Sequence, residues 1–150
     1  MKFARYDCLL LFVSLNFLLF TLSNGAMTMK QIQNTMDVIR NACTSKHPKL
    51  DLDIRDNVKN GQFVDDNKDL RCYTLCVADM AGALNRKKQL DYQKIMQQID
   101  TMLPTEMRAA TKVVVETCKN VKEGYKDNCD KAYFTTKCAY ETDSSVFLFP

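Results

Sequence analysis

The chain has 150 residues, with 21 basic and 18 acidic side chains and a formal net charge of +3. Charges this evenly matched produce no field of one sign, so neither nucleic acid nor an anionic membrane surface is indicated as a partner. The length suits one domain after an N-terminal segment is set aside.

That segment comes first in chain order. Lys2 and Arg5 precede an almost unbroken apolar run from Leu9 to Leu22, and the small residues Ser23, Gly25 and Ala26 follow. This is the layout of a secretory signal peptide over residues 1–26, cleaved after Gly25 or Ala26. As a membrane span the run falls short of the about 20 apolar residues required, so no stable membrane insertion is expected. A domain over residues 27–150 remains, with 19 basic and 17 acidic side chains and no Asn-x-Ser/Thr acceptor. A domain of that size buries roughly two-thirds of its unfolded surface.

Helical spacing dominates the remainder. Thr28 and Gln31 form a capping box, and Met29, Ile32, Met36, Ile39 and Cys43 then fall on one stripe of a first helix that ends before Pro48. A short second helix opens at Asp51 and Asp53, buries Ile54 and Val58, and stops at Gly61. The third starts near Asp66 or Asn67 and carries Leu70, Cys72, Leu75, Cys76, Met80 and Ala83. Asp91 opens a fourth, with Tyr92, Ile95, Ile99 and Met102 on one side, and Pro104 breaks it. Thr105 is the expected cap of a fifth helix with an inner face of Met107, Ala110, Val114 and Cys118. After a turn over residues 123–128, a sixth spans roughly Asn128 to Ala139. No stretch alternates with period two for long enough to make a sheet, and the β-branched run at 112–116 sits inside good helical spacing. The fold class is therefore all-α, with about six helices. The chain then closes on Val146, Phe147, Leu148 and Phe149 before Pro150, four large apolar residues where polar ones are usual. Such a tail either docks on the core or forms one wall of a cavity.

Seven cysteines are an odd number for a secreted chain, but Cys8 leaves with the signal peptide. The six that remain read as three disulfides in an oxidising compartment. Zinc is not expected: the set has one close pair, Cys72 and Cys76, and the single histidine His47. Redox catalysis would want a C-x-x-C beside a βαβ unit, and the spacing here is one residue longer and helical. Positions i and i+4 of a helix hold their Cβ atoms about 5–6 Å apart, whereas a disulfide needs about 3.8 Å. Cys72 and Cys76 therefore cannot bond each other, which leaves 12 of the 15 pairings of six cysteines open. Nine residues at about 100° each put Cys129 and Cys138 on opposite sides of the sixth helix, so it should be tied from both sides.

The gaps between the six cysteines are 28, 3, 41, 10 and 8 residues. This pattern resembles that of the six-cysteine insect odorant-binding proteins, within the pheromone-binding and general odorant-binding family, over the whole domain. The resemblance implies pairing of first with third, second with fifth and fourth with sixth cysteine, which here gives Cys43–Cys76, Cys72–Cys129 and Cys118–Cys138. It implies helices around an apolar cavity and a carrier that takes small hydrophobic molecules through aqueous fluid such as sensillar lymph. An odorant receptor is then the downstream partner, and the carrier acts as a monomer or homodimer without cofactor or metal. The seven methionines of the domain suit a pocket that accepts several shapes, although a single methionine is also ordinary core filler. The expected lining is Met80, Ile95, Ile99, Met107, Ala110, Val114 and Phe134, with Val146, Phe147 and Leu148 as a lid. Thr74, Tyr125 and Tyr133 are candidate hydroxyl anchors. Protonation of Asp143, Glu141 and the terminal carboxylate near the lid is expected to loosen it at acidic pH and lower affinity.

Other function classes fit less well. No enzymatic activity is expected: Pro48 follows His47, there is no glycine-rich loop, and nothing marks a partner for a catalytic serine. A saposin-like lipid-interaction protein would cluster its cysteines near the two ends of the chain. The same carrier could serve in saliva, venom or reproductive fluid, because tissue is not encoded in a pocket.

Overall fold

The computed structural model of the protein describes residues 25–150. The signal segment expected over residues 1–26 lies outside the described residues except for its last two. Six α-helices are present among the described residues: α1 (Met29–Lys46), α2 (Leu52–Asn57), α3 (Lys68–Met80), α4 (Tyr92–Met102), α5 (Thr105–Cys118) and α6 (Asn128–Thr142). Short 3-10 turns cover Val58–Asn60, Val121–Gly124 and Ser144–Val146. The described residues contain no strand, only an isolated bridge between Leu84 and Leu90.

Side chains at the helix starts explain most of these boundaries. Thr28 accepts from Gln31 N while its own N donates to Gln31 Oε1 at 2.8 Å, completing the capping box of α1. Asp51, Asn67, Asp91 and Asp127 cap α2, α3, α4 and α6. Three boundaries differ from the sequence reading. α3 stops at Met80 rather than running through Ala83. There the Gly82 N donates to Asp79 O and the Ala83 N to Ala78 O, a Schellman closure that needs the left-handed φ of +73° at Gly82. Thr105 is the first helical residue of α5 and not its cap; Pro104 takes the cap position without a side-chain bond, its ring fixing the entry φ at −52°. α6 continues three residues past Ala139 to Thr142, and Asp143 ends it.

α3 lies at the centre and packs on α1 and α6, while α4 rests on α5 and α5 on α6. Ile39, Cys43, Leu50, Val58, Leu70, Tyr73, Val77 and Tyr133 form the buried core. Close approach sets one glycine: a Cβ at Gly61 would enter the ring of Tyr140, and its φ is +82°. Three disulfides link the helices. Cys43–Cys76 joins α1 to α3, Cys72–Cys129 joins α3 to α6, and Cys118–Cys138 joins α5 to α6, with Cα separations of 5.8, 4.5 and 5.9 Å. The two cysteines of α3 thus point to different neighbours, and α6 is held from two sides.

A polar node reinforces the α6 contact. The buried Tyr133 hydroxyl donates to Asp65 Oδ1 at 2.9 Å, and Lys137 Nζ donates to both oxygens of the same carboxylate at 2.9 and 2.7 Å. The Lys137 bond, with the Tyr133 bond adding to it, holds the Asp65 carboxyl below the usual carboxylate range, while burial and Asp65 push the Tyr133 phenol up. A depressed carboxylate contributes stability above its unfolded value, and loses it as pH falls through the folded one. Half the Asp65 side chain faces solvent, so the contribution is held to about 1 kcal/mol or less. Asp65→Asn should therefore be less stable than the parent at pH 7, with the gap closing as pH falls below the ordinary carboxylate range, as urea titrations across that window would report. An unchanged difference across that window would mean the charge is not what matters.

Candidate functional site

The C-terminal tail closes the fold by a local device. Asp143 accepts from both the N and the Oγ of Ser145, which turns the chain through Ser144–Val146 as α6 ends. The following residues run back over the core. Phe147 meets Phe63 and Tyr140 edge-on, with ring centroids 6.5 and 5.1 Å apart, and Phe149 meets Tyr73 at 6.2 Å. These aromatic contacts fix the tail against α3 and α6.

Between the tail and the helices lies a cavity of about 260 Å³. Thr74, Val77 and Ala78 of α3 form one side, Ile95 of α4 with Leu90 before it another, and Thr111, Val114 and Val115 of α5 a third. α6 supplies Ala132, Thr135, Thr136 and Ala139, and Val146, Phe147, Leu148 and Phe149 complete the wall. A smaller chamber of about 70 Å³ shares Ile95, Val114 and Thr135 with it and extends past Tyr92 toward Lys119 and Lys122. The larger space lies just under the about 300–1,000 Å³ usual for small-molecule sites and has their character, apolar with a few hydroxyls. Its ionisable lining group is Asp143, whose carboxyl is held below its ordinary range by the two bonds from Ser145. Those bonds oppose protonation of Asp143, one of the steps expected to loosen the tail at acidic pH. A second hollow of about 340 Å³ lies between the tail and α1. It is larger, but Asp37, Arg40, Asp56 and Lys59 stud its walls, and an apolar molecule would strip water from them without replacing it.

The structure brings Ile95, Val114, Val146, Phe147 and Leu148 to the one cavity. It places the other five expected residues elsewhere. Met80 is 42% exposed, because it lies about 120° around α3 from the inward Thr74 at 100° per residue. Ile99 sits in the buried core one turn below Ile95, and Met107 and Ala110 are half-buried near the start of α5. Phe134 lies beside the inward stripe of α6 and stacks on Tyr125 at 4.3 Å. That stack also takes Tyr125 away from the cavity, and Tyr133 directs its hydroxyl to Asp65. Thr74, only 2% exposed, is the one expected hydroxyl that lines the space. Among the lining residues absent from the sequence expectation are Thr111 on α5 and Ala132, Thr135, Thr136 and Ala139 on α6. Their signal was available: small residues recurring three and four apart on α6 leave a groove where larger ones would fill it.

Comparisons with known proteins agree on a family. The profile of the PBP/GOBP family matches residues 25–142. General odorant-binding protein 72 of Anopheles gambiae is 36% identical over 125 residues, which cover 83% of this chain and 100% of that protein. General odorant-binding protein 19a of Drosophila melanogaster is 29% identical over 130 residues, covering 85% of this chain and 87% of the relative. Among solved structures, Apis mellifera odorant binding protein 5 superposes with a TM-score of 0.74 at 27% identity, over 84% of this chain and 100% of that one. Odorant binding protein 4 of the predator Chrysopa pallens gives 0.73 at 28% identity, over 83% and 99%.

Proposed function

We propose that this chain, which belongs to the PBP/GOBP family, is a secreted carrier that holds a small hydrophobic molecule in the cavity behind its C-terminal tail and delivers it through aqueous fluid to a chemosensory receptor. The observation that carries the reading is the cavity itself. Four helices and the tail surround an apolar space, and the one ionisable group on its wall among the described residues is already engaged by Ser145. Moving an apolar molecule from water into such a space is favourable by about 25 cal/mol for each Å² removed from water. Rigidity supports the same reading. Atoms lining a cavity lack partners on one side and forfeit dispersion energy, and three interhelical disulfides offset that loss. Nothing in the site needs to react with its occupant; the chain carries and does not transform.

Titration with N-phenyl-1-naphthylamine, followed by displacement with neutral aliphatic esters, ketones and fatty acids, tests the reading. Saturable probe binding and competitive displacement are the expected result. A probe that does not saturate would remove the carrier reading. Transcript mapping in antenna against salivary and reproductive tissue then tests the chemosensory assignment, which predicts antennal enrichment.

A further inference from the structure

We infer that Thr135 provides the free hydrogen-bond donor of the cavity, and that the preferred ligand is a neutral aliphatic molecule with an acceptor oxygen, a ketone or an ester, part-way along its chain. The inference rests on the carrier reading above and narrows it to a ligand class.

Four threonines line the cavity. A hydroxyl has one proton to donate and two lone pairs to accept with. Three of the four have already committed that proton. Thr74 Oγ1 donates to Leu70 O at 3.0 Å, Thr111 Oγ1 to Met107 O at 2.8 Å, and Thr136 Oγ1 to Ala132 O at 2.8 Å. Each bonds the carbonyl four residues back, the common habit of threonine within a helix. Thr135, next to Thr136 on the same helix, does not. Its Oγ1 is screened from water and has no hydrogen-bond partner. A polar atom buried without a partner is costly and calls for an explanation. A ligand oxygen that accepts from it supplies one, after a turn about χ1 between staggered wells.

Position then sets where that oxygen lies in the ligand. Thr135 belongs to the wall of both the larger and the smaller chamber. A molecule bonded to it has apolar space on two sides, which suits an oxygen between two alkyl arms better than one at a chain end. An anion is disfavoured in the larger chamber, where Asp143 repels it; at the outer chamber Lys119 is already paired with Glu116, and Lys122 is held by its bond to Leu90 O at 3.1 Å.

The test is displacement of N-phenyl-1-naphthylamine from the parent, Thr135→Val and Thr135→Ser. The competitors are an alkane, the ketone of equal length with a central carbonyl, and its isomer with a terminal carbonyl. The parent should bind the central ketone about fivefold more tightly than the alkane, the usual worth of one net hydrogen bond. The terminal isomer should fall between them. Thr135→Val, which keeps the shape and removes the hydroxyl, should abolish the preference, and Thr135→Ser should retain it. A preference that survives in Thr135→Val overturns the assignment of the donor. Equal competition by ketone and alkane against the parent overturns the ligand class, and equal competition by the two ketones overturns the mid-chain placement. Those outcomes all leave probe binding intact, whereas a parent that fails to bind the probe removes the carrier reading itself.

Discussion

A chain lacking residues 144–150 should bind an apolar probe roughly 30- to 150-fold more weakly than the parent, equivalent to on the order of 2–3 kcal/mol of lost burial. The deletion takes away Val146, Phe147, Leu148 and Phe149, a whole side of the cavity wall. Ligand atoms that faced those side chains would face water, and each Å² so exposed forfeits about 25 cal/mol. The tail also serves the core, since Phe147 packs on Phe63 and Tyr140 and Phe149 packs on Tyr73. Truncation should therefore lower the thermal midpoint as well, and affinity must be compared at a temperature where both chains are folded. Leu148→Ala separates the two roles. Leu148 lines the cavity and, unlike Phe147 and Phe149, is not packed against the core cluster, so its loss should weaken binding while leaving the midpoint nearly unchanged. If the truncated chain, still helical by circular dichroism, binds the probe as tightly as the parent, the tail is not a wall of the site.

Chain order and cysteine spacing made the scaffold legible. Proline, glycine and the capping residues Thr28, Asp51, Asn67 and Asp91 are local signals, and local signals survive translation into helix boundaries with errors of a few residues. The misplaced end of α3 came from taking Ala83 as the last inward residue, when Gly82 had the backbone freedom to close the helix first. The cavity was legible only in part, for a physical reason. Large apolar residues at inward positions were expected to line it, and Ile95, Val114, Phe147 and Leu148 do. Yet a large side chain pointing inward also tends to fill space, as Ile99 does in the core. What creates an empty volume is a small residue at an inward position: Thr74 and Ala78 on α3, Thr111 on α5, and Ala132, Thr135, Thr136 and Ala139 on α6. The place of α6 in the wall is therefore written in what its inward stripe leaves vacant rather than in what it buries.

The disulfides should divide their effects between stability and binding, and in opposite rank. Cross-linking restricts the unfolded chain in proportion to the logarithm of the loop it closes, in the chain-entropy account. Cys72–Cys129 spans 57 residues and Cys118–Cys138 spans 20. The corresponding stabilisations are about 4 and about 3 kcal/mol, the first a large share of the about 5–15 kcal/mol available to a single domain. Cys72→Ala with Cys129→Ala should accordingly be the less stable of the two double variants in urea, by about 1 kcal/mol. Affinity should rank the other way. Cys118–Cys138 pins the end of α5 to the last turns of α6, directly beside Val114, Val115, Thr135 and Ala139, which line both chambers. Without that bond the two helices are free to close into the space or drift apart, and either movement degrades the fit to a ligand. Cys72–Cys129 ties α3 to the start of α6, and neither of its cysteines lines either chamber. Urea unfolding followed by circular dichroism gives one ranking and probe titration the other. If the Cys72/Cys129 variant were the worse in both measurements, the bond at Cys118 and Cys138 would be a staple like the rest, with no particular hold on the shape of the cavity.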